Sequence, residues 1–379
     1  MQTGKIILAV IICAILIGNI QTASAQIVYG QSASVKARMT YTNWSVDYEN
    51  GNSLTVNQFM IPVNGFLPLR DNWELRYHAA SISGGVELND GTENSLSGLG
   101  DLRLMVNHSL SDDRFLFSLG LNLPTGKKKL NLGEELIVMN LLSLNYLSFP
   151  VRRLGEGMGV NLLFGGAASN GVSRLGGTIS YQYLGEYNPF DSLGDYDPGD
   201  MISLSANGDT KKGNTVFSAS MTFSLFSADK ADGQKLRKPS SQFEISTGFE
   251  THKPKYSYLG NVALLLRGRI TNYDNNEEVF EQLRLYGNEF FINTALVYHP
   301  DKLWSFTPLV QLRVIGNNEF EDDNKQGSSA IFGFGGEYAR NIGEGVDFNT
   351  GVTYFTGDAD GAKIKLSGFQ ITGGLIAAF

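Results

Sequence analysis

The stretch KLSGFQITGGLIAAF, residues 365–379, decides the fold. Apolar residues alternate in it with polar or small ones, so that Phe369, Ile371 and Leu375 fall on one side of an extended chain that ends in Phe379. Successive side chains of a β-strand point to opposite faces. The segment is therefore predicted to be a strand with one face in apolar surroundings, closed by an aromatic residue.

The same two-residue alternation recurs along the chain, most clearly in 115–123, 175–183, 216–225 and 309–314. The alternating segments are about 10 to 14 residues long. This length suits a tilted strand that crosses a lipid bilayer better than the five or six residues usual in soluble sheets. A soluble β-sandwich is the alternative, and the connections between the strands distinguish the two folds.

Short and long connections alternate between these segments. Short turns are predicted at 111–113, 211–213, 299–302 and 342–344, and long polar connections at 86–97, 186–199, 228–240, 272–287 and 316–328. Outer-membrane barrels have short periplasmic turns and long outer loops, whereas a sandwich has no reason to keep that alternation. The pattern favours an all-β fold, a transmembrane antiparallel up-and-down β-barrel.

Parity limits the number of strands. Both ends of such a barrel lie in the periplasm, so the number is even, and we predict about 16 strands, with 14 as the alternative. One segment, 134–148, lacks the alternation and has an acidic start, good helix formers and a stop at Pro150. We predict a helix there, in a long outer loop. Because it is apolar nearly all round, it should be buried, either in the barrel mouth or on an outer-leaflet surface.

The N-terminus is predicted to direct export. Residues 1–25 combine Lys5, an apolar run and a small-residue cleavage site that ends at Ala25, which is the pattern of a signal peptide. An uncleaved anchor is the alternative, but the run is short for a span of about 20 residues. The only cysteine, Cys13, lies in this run, so the barrel domain, 26–379, has none for disulfides or metal. We predict location in the outer membrane of a Gram-negative bacterium.

Charge and hydropathy exclude other classes. The chain carries 30 Lys and Arg against 38 Asp and Glu, a formal net charge of −8. An acidic chain without a basic stripe argues against nucleic acid as a partner. After residue 25 the sequence has no apolar run of about 18 residues, which argues against helical membrane spans.

Charged residues occupy the polar phase of several strands. The set predicted to line the pore is Glu74, Arg76, His78, Asp101, Arg103, Arg267, Arg269 and Arg313. A charge facing lipid at the midplane costs about 2–4 kcal/mol, which directs these side chains inward. They either form an electrostatic constriction that selects solutes or pair with one another and stiffen the wall. The last three arginines have fewer evident partners and favour the first role.

Little in the sequence indicates a catalytic, metal-binding or cofactor site. Of the four histidines only His78 is predicted to face the interior, where a lining role is simpler than a catalytic one. The sequence has no His-x-His or His-x-x-x-His spacing, so neither a metal site nor a cofactor is predicted. The acidic clusters 195–200, 321–324 and 358–361 lack the full calcium-loop spacing and are predicted to be solvated outer loops. The protein is predicted not to be an enzyme.

Several short motifs follow one another in the order known from a protein family. They are Gly98-Leu99-Gly100-Asp101, Leu123-Pro124-Thr125-Gly126, Glu134-Glu135, Leu154-Gly155-Glu156-Gly157 and Tyr196-Asp197-Pro198-Gly199-Asp200. In these the chain resembles the outer-membrane proteins grouped as "meta-pathway of phenol degradation" proteins. The resemblance implies a channel for small, aromatic or hydrophobic compounds, and it brings no catalytic residues with it.

The expected function is therefore passive uptake of a small solute through the lumen. The alternative is a structural or adhesive barrel with a plugged lumen and partner-binding loops. The expected partners are outer-membrane lipid, the solute and the barrel-assembly machinery, which would recognise the strand that ends at Phe379.

Overall fold

The computed structural model describes residues 32–379 apart from 71, 112–113, 190–193 and 320–325. The predicted signal peptide and the acidic cluster at 321–324 lie outside the described residues. The strands are β1 Ser34–Tyr48, β2 Ser53–Arg70, β3 Trp73–Leu88, β4 Glu93–Leu99, β5 Leu102–Leu110, β6 Phe115–Leu123, β7 Gly159–Ser169, β8 Ser173–Leu184, β9 Tyr196–Asp197, β10 Met201–Lys212, β11 Thr215–Phe226, β12 Asp229–Ala231, β13 Gln234–Lys238, β14 Gln242–His252, β15 Tyr256–Arg267, β16 Ile270–Asp274, β17 Glu277–Leu283, β18 Glu289–Tyr298, β19 Trp304–Ile315, β20 Ser329–Gly343, β21 Val346–Ala359 and β22 Ile364–Ala378. The helix α1 spans Glu134–Leu142, and a 3₁₀ turn spans Asn145–Leu147.

The long strands form one closed antiparallel sheet. The sheet closes where β22 pairs with β1, in a register that runs from Ser34↔Ala378 to Tyr48↔Ile364. Strands β4 and β5 pair one after the other along β3, so they count as a single barrel strand interrupted at Gly100 and Asp101. The wall thus has 16 barrel strands. The predicted barrel and its strand number are confirmed, and the alternative of 14 is wrong.

Side chains alternate between the exterior and the interior of this wall. The exterior carries large apolar side chains that remain exposed, among them Phe164, Ile179, Leu204, Val352 and Ile371. The interior carries the intervening residues, which are polar, small or charged over much of the wall. This distribution reverses that of a water-soluble protein, in which the large apolar side chains turn inward.

Aromatic rings form a band around one end of the exterior. The rings of Tyr256 and Tyr298 lie 5.2 Å apart, those of Tyr298 and Trp304 6.0 Å, and those of Trp304 and Tyr338 6.2 Å. Aromatic girdles of this kind mark the level at which a barrel leaves the hydrocarbon region of a bilayer. This end also holds Phe379, and we call it the turn end; the opposite end is the loop end.

Connection lengths differ between the two ends. At the loop end five connections are long, namely 124–158, 185–200, 227–241, 268–288 and 316–328. The predicted long connection 86–97 is wrong, because β3 and β4 continue through it as a hairpin. The Leu88 N–H donates to the Thr92 carbonyl at 2.9 Å, and Gly91 takes a left-handed φ of 82°. The sequence Asn-Asp-Gly at 89–91 favours such a tight turn.

The long connections build a second sheet beyond the barrel wall. It has five strands in the order β17, β16, β13, β12 and β9, all antiparallel where they pair. These strands come from three connections, 185–200, 227–241 and 268–288. The three connections therefore support one another at the loop end instead of extending singly into solvent.

The helix prediction is confirmed in place but not in length. The α1 helix ends at Leu142, and the backbone then turns out of the helical conformation at Leu144, with ψ of 124°. The Asn145 carbonyl accepts a hydrogen bond from the Arg313 side chain at 2.9 Å. The chain thus makes a long-range polar contact just beyond the end of the helix, in a 3₁₀ turn, and helix propensity cannot predict such a contact.

Candidate functional site

The connection between β6 and β7, residues 124–158, folds into the barrel, and we call it the lumen loop. It contacts β2, β3 and β4 on one side and β18 and β19 on another. These two parts of the wall are separated by β1, β20, β21 and β22. Such contacts can be made only across the interior. The helix therefore lies in the barrel mouth, not on an outer-leaflet surface, and the lumen loop narrows the passage.

Apolar packing holds the lumen loop against the wall. Val138 and Leu147 are completely buried and Leu142 is nearly so. The wall residues that form this apolar cluster with them include Trp44, Val46, Val56, Ile82, Val86, Leu96, Ile331 and Leu366. A Cβ added at Gly84 would lie 2.8 Å from Leu142 Cδ1, so glycine on β3 makes room for α1. Full burial of each such aliphatic side chain stabilises by about 1.5–3 kcal/mol.

A buried amide fixes the returning half of the lumen loop. Gln58, on β2, is 1% exposed, and its Nε2 donates to the Val151 carbonyl at 2.7 Å. The Val151 N–H donates back to Gln58 Oε1 at 3.3 Å. The side chain therefore satisfies both backbone groups of Val151, as a neighbouring strand would.

One buried carboxylate joins the two ends of the lumen loop. Asp101 is 7% exposed and accepts hydrogen bonds from the Gly126 N–H at 2.8 Å, the Glu156 N–H at 2.7 Å and Asn122 Nδ2 at 2.9 Å. Gly126 begins the loop and Glu156 ends it. Hydrogen bonds to an ionised acceptor are stronger than neutral ones, so Asp101 is a firm anchor at the base of the loop.

Glycine allows the backbones to cross at this anchor. A Cβ at Gly126 would lie 2.5 Å from the Leu154 carbonyl oxygen, and a Cβ at Gly155 would lie 3.1 Å from the Gly126 carbonyl carbon. The motifs at 98–101, 123–126 and 154–157 thus meet at one point.

A second anchor lies across the interior, at Glu289 on β18. Its carboxylate accepts from Arg267 Nη2 at 2.6 Å and from Arg313 Nη2 at 2.7 Å. Asn145 Nδ2 of the lumen loop donates to the same carboxylate at 2.9 Å, and Arg313 Nη1 donates to the Asn145 carbonyl at 2.9 Å. The two predicted arginines therefore lie together, and they share one acidic partner with the lumen loop.

Arg152 adds a third guanidinium group to this place. Its Nη2 donates to Asn145 Oδ1 at 3.2 Å, an amide and not a carboxylate. Partial burial and the nearby Arg313 lower the pKa of Arg152, while Glu289 acts in the opposite direction. The side chain nevertheless keeps contact with water inside the barrel mouth. Three arginines are therefore gathered where the lumen loop meets β15, β18 and β19.

Three other predicted lining residues, Glu74, Arg76 and His78, lie on β3. Glu74 is 1% exposed and accepts from Arg76 Nε at 2.8 Å and from Asn107 Nδ2 at 2.5 Å. His78 Nδ1 lies 2.7 Å from Asn64 Oδ1. The structure thus brings Glu74 and Arg76 together as a pair, near the turn end and apart from the Glu289 anchor.

The remaining two arginines are more exposed. Arg103 Nη2 lies 3.3 Å from Glu156 Oε2, and the Arg103 side chain is 61% exposed. Arg269, beyond the end of β15, has a side chain that is 55% exposed and lies 3.4 Å from Glu319 Oε2. The expectation that arginines 267, 269 and 313 have few partners is wrong, because Glu289 on β18 pairs with Arg267 and Arg313, and Glu319 in the connection 316–328 pairs with Arg269.

Another part of the interior wall is lined with hydroxyl groups. Ser203 and Ser224 lie 2.8 Å apart, Ser205 and Thr222 2.9 Å, and Ser220 and Ser246 2.9 Å, measured between side-chain oxygens. These pairs lie on β10, β11 and β14, where the apolar cluster of the lumen loop does not reach. The interior therefore has a wall rich in hydroxyl groups as well as the apolar wall that the lumen loop covers.

Sequence reasoning missed four residues of this site, Gln58, Asn145, Arg152 and Glu289. A signal was present for Gln58, which interrupts the apolar phase of Val56 and Met60 on β2. Asn145 and Arg152 lie in irregular backbone, where no periodicity shows which way a side chain points.

The described part of the chain has neither a cluster of metal ligands nor a membrane-spanning helix. No group of three or more His, Asp or Glu side chains is placed there to hold a metal ion. No helix among the described residues is long and apolar enough to cross a lipid bilayer.

Comparison with known proteins gives resemblance of architecture only. No protein-family model and no curated protein matches the sequence. Among solved structures, the CymD monoaromatic hydrocarbon channel matches at 10% identity and a TM-score of 0.43, over 92% of this chain and 89% of that chain. OccK5 (OpdH) of Pseudomonas aeruginosa matches at 8% identity and a TM-score of 0.46, over 92% and 98%. An outer-membrane channel from Pseudomonas putida F1 matches at 11% identity and a TM-score of 0.36, over 95% and 100%. At such scores the function has to be argued from this chain's own residues.

Proposed function

We propose that the protein is an outer-membrane channel through which small solutes cross passively. The observation that carries the proposal is the closed 16-stranded wall, apolar on its exterior and lined in part by hydroxyl and charged groups on its interior. A barrel of this size is wide enough to hold an aqueous passage unless loops fold in. Here a loop does fold in, and it supplies the constriction at which solutes would be selected.

Aromatic or hydrophobic compounds are the solute class that we propose to test first. A cleft of about 620 Å³ opens at the loop end, and Tyr48, Leu54 and Leu88 line part of it. These three side chains also pack against the apolar cluster under the lumen loop. Apolar surface that water can reach from the loop end is suited to a ligand with an apolar body.

Single-channel conductance tests the proposal. The refolded protein is compared in planar bilayers with a variant in which residues 128–152 are replaced by a four-residue Gly-Ser linker. Because Gly126 and Gly155 are in contact, a short linker can close the gap without strain, and Asp101 keeps its partners. A matched control shortens the connection 227–241 instead. We expect conductance steps in the intact protein and larger steps after replacement of the lumen loop only.

A second function is favoured by one observation, the firm attachment of the lumen loop at Asp101, Gln58 and Glu289. A permanently fixed loop, together with the five-stranded sheet at the loop end, suits a plugged barrel that binds a partner through its loops. Silence of the intact protein, with steps only in the variant without the lumen loop, would favour this second function over an open channel.

A further inference from the structure

A cluster of three arginines lies between the lumen loop and β15, β18 and β19. Arg267 and Arg313 bind the carboxylate of Glu289 there, and Arg152 is hydrogen-bonded to Asn145, whose side chain contacts the same carboxylate. Three guanidinium groups against one carboxylate leave an excess of two positive charges, although the chain as a whole has a net charge of −8. An excess of this kind, held inside a protein, attracts anions from solution.

The three arginines are not equivalent. Arg267 and Arg313 form short bonds to Glu289, and their side chains are only 10% and 16% exposed. Arg152 remains in contact with water and is hydrogen-bonded to an amide. The first two arginines therefore hold the lumen loop in place, and Arg152 presents its guanidinium group to the passage.

An aromatic ring stands beside this cluster. The Tyr286 ring centroid is 5.9 Å from the Arg267 guanidinium carbon, and the tyrosine is 47% exposed. Burial lowers the pKa of Arg152, and the Tyr286 side chain acts in the opposite direction. A ligand with an anionic group and a flat apolar body would find a partner for each part here.

We propose that Arg152, supported by Arg267 and Arg313, binds the carboxylate of a small aromatic anion on its way through the barrel. The guanidinium group offers two parallel N–H donors, which match the two oxygens of a carboxylate. This inference rests on the proposed function, and it narrows the solute from apolar compounds in general to those that carry one negative charge.

Ion selectivity and block test the site together. Reversal potentials are measured under a KCl gradient for the wild type, Arg152→Gln, Arg152→Lys and Arg340→Gln, the last being a control. Arg340 is an exposed arginine near the turn end of β20, so its replacement removes the same charge away from the cluster. Benzoate and the uncharged benzyl alcohol are then added as probes.

We expect Arg152→Gln to lower the chloride-to-potassium permeability ratio about fivefold, the factor that corresponds to the roughly 1 kcal/mol of a unit charge 4 Å away in water. Arg152→Lys and Arg340→Gln should stay near the wild type. Benzoate should reduce the current of the wild type and reduce that of Arg152→Gln much less. Benzyl alcohol should have the same small effect on the currents of both proteins. If benzoate and benzyl alcohol block the wild-type current equally, or if the permeability ratio of Arg152→Gln equals that of the wild type, the inference is overturned. The channel proposal is not affected by either result.

A silent wild type would refute the open channel, and the site is then tested without current. Benzoate binding to the folded protein in detergent is measured by calorimetry for the same four proteins. Binding that is weakened most in Arg152→Gln, less in Arg152→Lys, which cannot form the bidentate contact, and not in Arg340→Gln supports the carboxylate site. Absence of benzoate binding in the wild type, or equal binding in all four, overturns it.

Discussion

Asp101 provides the sharpest test of how the lumen loop is held. In Asp101→Ala the N–H groups of Gly126 and Glu156 lose their acceptor, with present distances of 2.8 and 2.7 Å, and Asn122 loses one of its partners. A buried donor left without a partner costs about 1–3 kcal/mol, so the two backbone groups together destabilise the docked loop by about 2–6 kcal/mol. Even the lower figure raises the undocked population about thirtyfold. The barrel wall keeps its ladder of hydrogen bonds and should remain folded.

Limited proteolysis with trypsin measures that population. The lumen loop contains Lys127, Lys128, Lys129, Arg152 and Arg153, which are trypsin sites. Cleavage follows the equilibrium population of the open form when opening and closing are fast, so its rate within 124–158 should rise about thirtyfold or more in Asp101→Ala. Mass spectrometry of the fragments locates the cut.

The matched control is Asp358→Ala, which removes a carboxylate that is 45% exposed and paired with Lys365 at the loop end of the wall. Exposed ion pairs contribute little, so cleavage in this variant should be that of the wild type. Equal cleavage of the wild type and Asp101→Ala, with both barrels folded, would refute the anchor and the argument that the motif residues act through it.

Three further predictions follow from the two faces of the wall, the interior arginines and the last residue. On β21 Val352 faces outward and Thr353 inward. Val352→Arg should refold poorly into lipid vesicles, because a charge facing lipid destabilises the inserted barrel by about 2–4 kcal/mol, whereas Thr353→Arg should refold. Equal refolding yields of the two variants would contradict a lipid-facing exterior. Arg267→Ala should shift the reversal potential towards cation selectivity, and Arg269→Ala should change it little, because only Arg267 belongs to the Glu289 cluster. A larger shift in Arg269→Ala than in Arg267→Ala would show that the constriction lies elsewhere. Deletion of Phe379 should lower the amount of heat-modifiable barrel in the outer membrane of expressing cells, and an unchanged amount would argue against its recognition during assembly.

Much of the fold could be predicted because every second residue of a strand in a two-sided wall faces lipid and is therefore apolar. Phe369, Ile371 and Leu375 face outward in the structure, as the alternation requires. The same rule failed at 86–97, where the polar residues of a hairpin resembled those of a loop. The alternation rule could not place the lumen loop, because the sequence of a segment without alternation does not indicate which part of the wall it contacts.

The candidate site depended on closure of the barrel. The sequence by itself determined that Arg267 and Arg313 turn away from lipid, since the cost of charge in hydrocarbon leaves no other direction. Only the tertiary structure decided that both meet Glu289, and that Asn145, 168 residues before Arg313, completes the contact. Burial preference acts on each residue separately and shows in the local pattern, whereas the contacts of Asn145 with Glu289 and Arg313 exist only because the lumen loop crosses the interior of the closed barrel.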